Sequence, residues 1–243
     1  MRRTGQLVPR FNYRESSPEG STEGGATLDD PLQELVRLLD LESTGGDDFR
    51  GASCSRSLPF VFGGQVAAQS LAAAYRTTPA DRRVHSLHSY FLAPGDPRRP
   101  LEFSVSRIRE GRSFTARQVL VKQAGRPVFS ASMSFHTDEP GLEHADPAPT
   151  SPSPNDLLPL STWLRPHLAL LPDWWHGPMA IDLRYPNEPP HVLTEEPDSL
   201  ASQRLWMRSA GSLPDDPGIQ ECVFTFASDM TLLDSVLLKH GRS

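Results

Sequence analysis

The chain has 243 residues, enough for one large domain or two small ones, each with a real core. Its 24 basic and 30 acidic side chains leave a net charge of −6, which excludes the general electrostatic footprint of a nucleic-acid-binding protein, although a local basic patch for a phosphorylated small molecule stays compatible. Two cysteines far apart in dissimilar contexts, Cys54 and Cys222, give neither a disulfide framework nor a paired-ligand metal site. With no secretory pattern at the start and no apolar run long enough to span a membrane, the expectation is a cytoplasmic protein without metal or cofactor.

Residues 1–27 are rich in Gly, Ser, Glu and Arg and poor in aliphatic side chains, so they are expected to form a disordered tail. From Pro31 the pattern changes: Leu32, Leu35, Val36, Leu38 and Leu39 have helical spacing behind Asp29 or Asp30 as N-cap. This amphipathic helix is predicted to end near Gly45-Gly46. The run from Val66 to Tyr75 is apolar nearly all round, interrupted chiefly by Gln65 and Gln69, which predicts an enclosed helix.

Strands follow. Residues 84–97 read as extended; Leu101, Phe103 and Val105 alternate with polar positions, as do Phe129, Ala131, Met133 and Phe135. Residues 114–123 pair with 127–136 across an Ala124-Gly125-Arg126 turn in an antiparallel hairpin. The expected architecture is α+β, with one central helix wrapped by an antiparallel sheet and an N-terminal domain spanning 28–136.

Proline and small polar residues crowd the following stretch, which reads as an interdomain connection over 137–178. Beyond it, from 179 to 243, come strand candidates at 180–186 and 203–211 and a second helical run at 222–238. Order and kind begin to repeat the first half, which spends residues 76–136 on the sheet around its helix. The second helix, reaching 238, leaves almost no chain for the same task, so this unit is expected to be truncated, with exposed strand edges that favour a homo-oligomer.

Among polar candidates Asp229 stands out, because an Asp within an apolar helix costs propensity and desolvation unless something rewards it. A carboxylate in a semi-dry pocket acts as a general base or orients a water toward a carbonyl. Asp234 is expected to be solvated. Gly63-Gly64 reads as close packing or a loop before the helix. His85 and His88, three apart on a strand, are expected to face opposite sides. Ser113 and Ser134 lack a triad arrangement. Arg107, Arg109, Arg112, Arg117 and Arg126 read as a sheet face or a phosphate contact. Trp163, Trp174 and Trp175 suit core packing or an acyl tunnel.

VFGGQVAAQSLAAA, VHSLHSYFLAPGDPRRPLEFSVSRIREGRSFTARQV and GRPVFSASMSFH resemble the acyl-CoA thioesterase II family, the double-hotdog thioesterases. RLWMRSAGSLPDD and FASDMTLLDSVLLKHG resemble the opening of that family's second hotdog. The resemblance, over roughly Pro31 to Gly241, implies hydrolysis of fatty acyl-CoA to free acid and CoA. It also implies an Asp on the second central helix, a Ser or Thr on a following strand and a Gln further on, holding the attacking water. Only the Asp carries over, onto Asp229 as the catalytic residue; the other two would fall after residue 243. An inactive remnant or an acyl-CoA-binding module is the competing expectation.

Overall fold

The computed structural model describes residues 30–54, 58–171, 175–192, 203–232 and 234. The tail expected over 1–27 lies outside the described residues, as does Trp174.

Helix α1 (Pro31–Leu38) starts where the sequence places it, with the Asp30 carboxylate accepting from the Leu32 amide and Pro31 in the first turn. It stops at Leu38, well before Gly45-Gly46. Those glycines instead adopt φ of +125° and +59° at the turn between two short antiparallel strands, β1 (Glu42–Gly45) and β2 (Asp48–Gly51). Every residue of β1 is exposed, so it has no apolar alternation for a sequence reading to detect.

Helix α2 (Gly63–Tyr75) is buried continuously from Gly64 to Ala74. Its amides are satisfied inside the core: Gln65 Nε2 donates to the Ala52 carbonyl and to Gln69 Oε1, and Gln69 Nε2 donates to the carbonyls of Leu38 and Ala52. The two glutamines thereby tie the end of α1 and the chain after β2 to the helix.

Four longer strands wrap α2: β3 (Arg82–Phe91), β4 (Leu101–Glu110), β5 (Phe114–Gln123) and β6 (Arg126–Thr137). With the first hairpin they form one antiparallel sheet in the order β1-β2-β4-β5-β6-β3. The β5–β6 turn has Ala124 and Gly125 both at positive φ, as a tight hairpin requires. Phe103, Val105, Val119, Val121, Phe129, Ala131, Met133 and Phe135 are buried on the inner face.

A register shift between Val84 and Ser86 places a bulge at His85. The extra residue breaks strict alternation, so His85 and His88 lie on the same outer face rather than on opposite ones. His85 meets the outer-face residues Ser134 and His136, and His88 pairs in register with outer-face Ser132.

Beyond β6 the chain is exposed to about Ser153, then folds again. A 3-10 turn at Pro154–Asp156 precedes α3 (Leu160–Leu164) and a further 3-10 turn at Arg165–Leu170; Leu160 and Leu164 are each 1% exposed and join the core. Trp163 and Trp175 pack partly buried against it. Strands β7 (Ile181–Arg184) and β8 (Trp206–Ser209) form a second antiparallel pair, followed by α4 (Pro217–Ser228). Hairpin then helix therefore occurs twice, as β1-β2-α2 and β7-β8-α4.

The two long helices pack together. The Tyr75 hydroxyl on α2 donates to the Glu221 carboxylate on α4, and Arg83 Nε on β3 donates to the same carboxylate at 2.9 Å. The Val84 amide donates to the Tyr75 oxygen at 3.0 Å, completing the junction. Cys222 beside it is wholly buried, which pushes its thiol pKa up and makes it a core residue.

Candidate active site

Helix α4 begins at Asp216, whose side chain accepts from the amides of Gly218 and Ile219, with Pro217 in the first turn. The apolar run in the sequence continues to residue 238, but the helix ends at Ser228 with Asp229 as its C-cap. Thr225 and Ser228 turn their hydroxyls onto the carbonyls of Glu221 and Thr225, and the amides of Asp229 and Met230 fold back to the Ala227 carbonyl. Asp229 therefore sits at a helix terminus, not within a helix.

That terminus is aimed at the start of α2. Phe62, the N-cap of α2, supplies no side-chain hydrogen bond, and the first turn carries no acidic residue. The Asp229 carboxylate takes that place, lying over Gly63 and close enough to the backbone N–H of Gly64, the second residue of the helix, to be stabilised by it. Burial raises the Asp229 pKa above the ordinary aspartate value, and the Gly64 amide partly opposes this.

Gly63 and Gly64 make the approach possible. A Cβ on Gly63 would stand 2.5 Å from Asp229 Oδ2 and 2.7 Å from Phe91 Cε1; a Cβ on Gly64 would stand 2.4 Å from the Phe226 carbonyl oxygen. Close packing is thus their role, and it delivers a helix N-terminus to the carboxylate. The rings of Phe62 and Phe226 meet edge to face at 5.0 Å beside this contact.

Asp234 departs from the solvated position expected of it. It is 9% exposed, and burial lifts its pKa to about 6, the nearby Gln203 side chain partly opposing this. Tyr185 lies close enough for Asp234 to raise its phenol pKa.

The arginines divide. Arg107 pairs with Asp47 at 2.7 and 2.9 Å on the surface, whereas Arg117 points inward, 1% exposed, and donates to Thr77 Oγ1 at 2.8 Å and to the Thr77 carbonyl. Arg109, Arg112 and Arg126 complete no common site with them among the described residues. Ser134 meets His85 Nε2 at 2.8 Å on the outer face, and Ser113 donates to Glu139. Among the described residues no carboxylate pairs with the His85 ring, and no group of three His, Cys, Asp or Glu is placed to hold a metal ion. No helix among them is long and apolar enough to cross a membrane.

A cleft of about 650 Å³ lies between α3 and the β7–β8 hairpin, walled in part by Leu160, Ile181, Leu183 and Arg208. Asp229 is not among its walls. The two arginines at its rim, Arg184 and Arg208, both bind Asp182, at 3.0 and 2.9 Å. Asp229 with the α2 N-terminus is therefore the better-built chemical site.

A sheet wrapped around a central helix, with a second hairpin and helix packed on it, defines the hotdog class of fold. Residues 55–136 match the acyl-CoA thioesterase N-terminal domain, and residues 180–243 match the acyl-CoA thioesterase model. Acyl-CoA thioesterase 2 of Haemophilus influenzae is 35% identical over 221 residues, 88% of this chain and 76% of that protein. Acyl-coenzyme A thioesterase 8 of Homo sapiens is 32% identical over 93% of this chain and 76% of its own length. An acyl-CoA thioesterase II from Mycobacterium marinum superposes with a TM-score of 0.66 at 36% identity, covering 85% of this chain and 72% of that one. A hot dog fold protein from Alicyclobacillus acidocaldarius, 21% identical with a TM-score of 0.67 over 86% of this chain and 73% of its own, shares the fold. The chain belongs to the acyl-CoA thioesterase family, and its chemistry is that of a thioester hydrolase.

Proposed function

We propose that the protein hydrolyses fatty acyl-CoA with Asp229 as the group that activates water. The observation that carries this is the half-buried Asp229 carboxylate, seated on the N-terminus of α2 through the Gly64 amide beside an exposed aromatic ring. A carboxylate of raised pKa in such a place accepts a proton from water more readily than an ordinary aspartate. The water oxygen then attacks the thioester carbonyl while Asp229 takes the proton. The positive end of α2 lies next to the oxygen that becomes negative. Collapse breaks the C–S bond, and CoA leaves as a thiolate that recovers the proton. Thiolate is a good leaving group, so no covalent enzyme intermediate is needed.

Asp229→Asn keeps an oxygen acceptor for the Gly64 amide but removes the base. It is expected to lower the rate of CoA thiol release by about a hundredfold or more, with the thermal unfolding midpoint little changed. Unchanged turnover in a folded Asn variant rejects the role.

Two further parts of this reading concern the cell and the assembly. The two cysteines, distant in sequence and with Cys222 buried in the core, suit a reducing cytoplasm. Among the described residues the outer edge of β3 has no paired strand, which supports self-association into a homo-oligomer. Light scattering of the purified protein measures the latter; a monomer at all concentrations rejects it.

A further inference from the structure

We propose that Phe91 holds the acyl arm of the substrate next to the thioester and so sets chain-length preference; this rests on Asp229 marking the reacting centre. Phe91 is the last residue of β3, opposite Phe129 in the sheet register. Phe129 is 1% exposed on the inner face, and the two rings lie 5.2 Å apart, so Phe91 also faces the helix side. Yet the Phe91 side chain is 60% exposed. A large aromatic ring on the core side of a sheet, anchored at one edge and open at the other, is an apolar surface awaiting contact.

Its position relative to the carboxylate is set by Gly63. The point where a Gly63 Cβ would sit is 2.5 Å from Asp229 Oδ2, 2.7 Å from Phe91 Cε1 and 2.8 Å from Phe91 Cζ. Carboxylate and ring edge therefore close over Gly63 more tightly than a methyl group allows, and glycine is what lets them come together. A polar group and an apolar surface this close match a molecule that changes from polar to apolar over one bond. A thioester does so at its carbonyl carbon on the acyl side. The CoA side continues into a pantetheine arm whose amides require hydrogen-bond partners, which a phenyl ring does not supply.

The test uses the full chain and two non-hydrolysable thioethers, S-ethyl-CoA and S-decyl-CoA, with binding read by calorimetry, alongside turnover of acetyl-CoA and decanoyl-CoA. The wild type is expected to bind S-decyl-CoA more tightly, and Phe91→Ala to lose about tenfold of that preference, the scale of a few methylene contacts in an apolar pocket. Turnover of acetyl-CoA stays within a few-fold, and Phe91→Leu restores most of the preference. An equal loss for both chain lengths assigns the ring to the CoA arm or to packing on Phe129 and overturns the proposal. Absence of any chain-length preference in the wild type does the same. Asp229→Asn separates the two readings: full turnover in that variant removes the Asp229 role and the placement argued from it, whereas loss of turnover there with chain-length preference unchanged in Phe91→Ala removes the Phe91 assignment alone.

Discussion

Gly64 and Phe226 touch backbone to backbone: a methyl group on the glycine would come within 2.4 Å of the phenylalanine carbonyl oxygen. This contact brings the start of α2 against the end of α4 and puts the Gly64 amide in reach of Asp229. Gly64→Ala is expected to push the helices apart, since the obstacle is main chain and cannot rotate away. The cost is about 1–3 kcal/mol, as for other overpacked sites, together with a drop in thioester hydrolysis larger than loss of folded protein explains. Denaturant unfolding and thiol release on the same sample check this. A fully stable and active Ala variant contradicts the geometry.

The ionisation of Asp229 sets a direction in pH. Its pKa is raised by burial, so the proton-accepting form is lost at a higher pH than for an ordinary aspartate. The profile of kcat/KM is expected to fall on the acid side with an apparent pKa above the usual aspartate value of 3.8. The residual activity of Asp229→Asn lacks that limb. Profiles collected in an Asp234→Asn background keep the neighbouring titration out of the comparison; an acid limb that survives in the Asp229→Asn,Asp234→Asn double variant shows that another group controls it.

Asp234 makes a separate prediction about stability. Its folded pKa of about 6 lies above the ordinary 3.8, so the folded state binds a proton more tightly than the unfolded chain. Stability from this group is present at low pH, is lost as pH rises between those two values, and does not recover above. The span corresponds to an upper bound on the order of 3 kcal/mol. Asp234→Asn is expected to flatten this loss, so the melting-temperature difference, variant minus wild type, grows from pH 4 to pH 7. A constant difference across that range rejects a buried carboxylate here.

Much of this architecture is readable from local patterns. The β5–β6 hairpin shows in its alternation and turn residues, and α2 in an apolar composition too uniform for a surface helix. The β1–β2 hairpin does not, because ESTG has no apolar face and the helical spacing just before it invites extension. Alternation misplaced His85 and His88 because a bulge depends on pairing with β6, not on the strand's own residues. Asp229 was identifiable as a carboxylate in an apolar run, but its partner was hidden: Gly64 carries no side chain, and its contribution is one amide hydrogen exposed by helix geometry. The burial of Asp234 likewise comes from packing among distant residues, including Tyr185 and Gln203. Phe91 faces inward by its register with Phe129 and yet stands uncovered, which nothing in its own strand signals.

The junction of Tyr75, Glu221 and Arg83 joins parts of the chain that lie on either side of the long exposed connection. Glu221 accepts from both a helix residue and a strand residue of the first half, so separating the halves strands a partly buried carboxylate and bares the continuous apolar surface of α2. Partial melting of one half is therefore disfavoured, and the two are expected to unfold in one cooperative transition. For such a molecule a defect is shared as well: a substitution where α2 meets α4 is expected to weaken both halves at once.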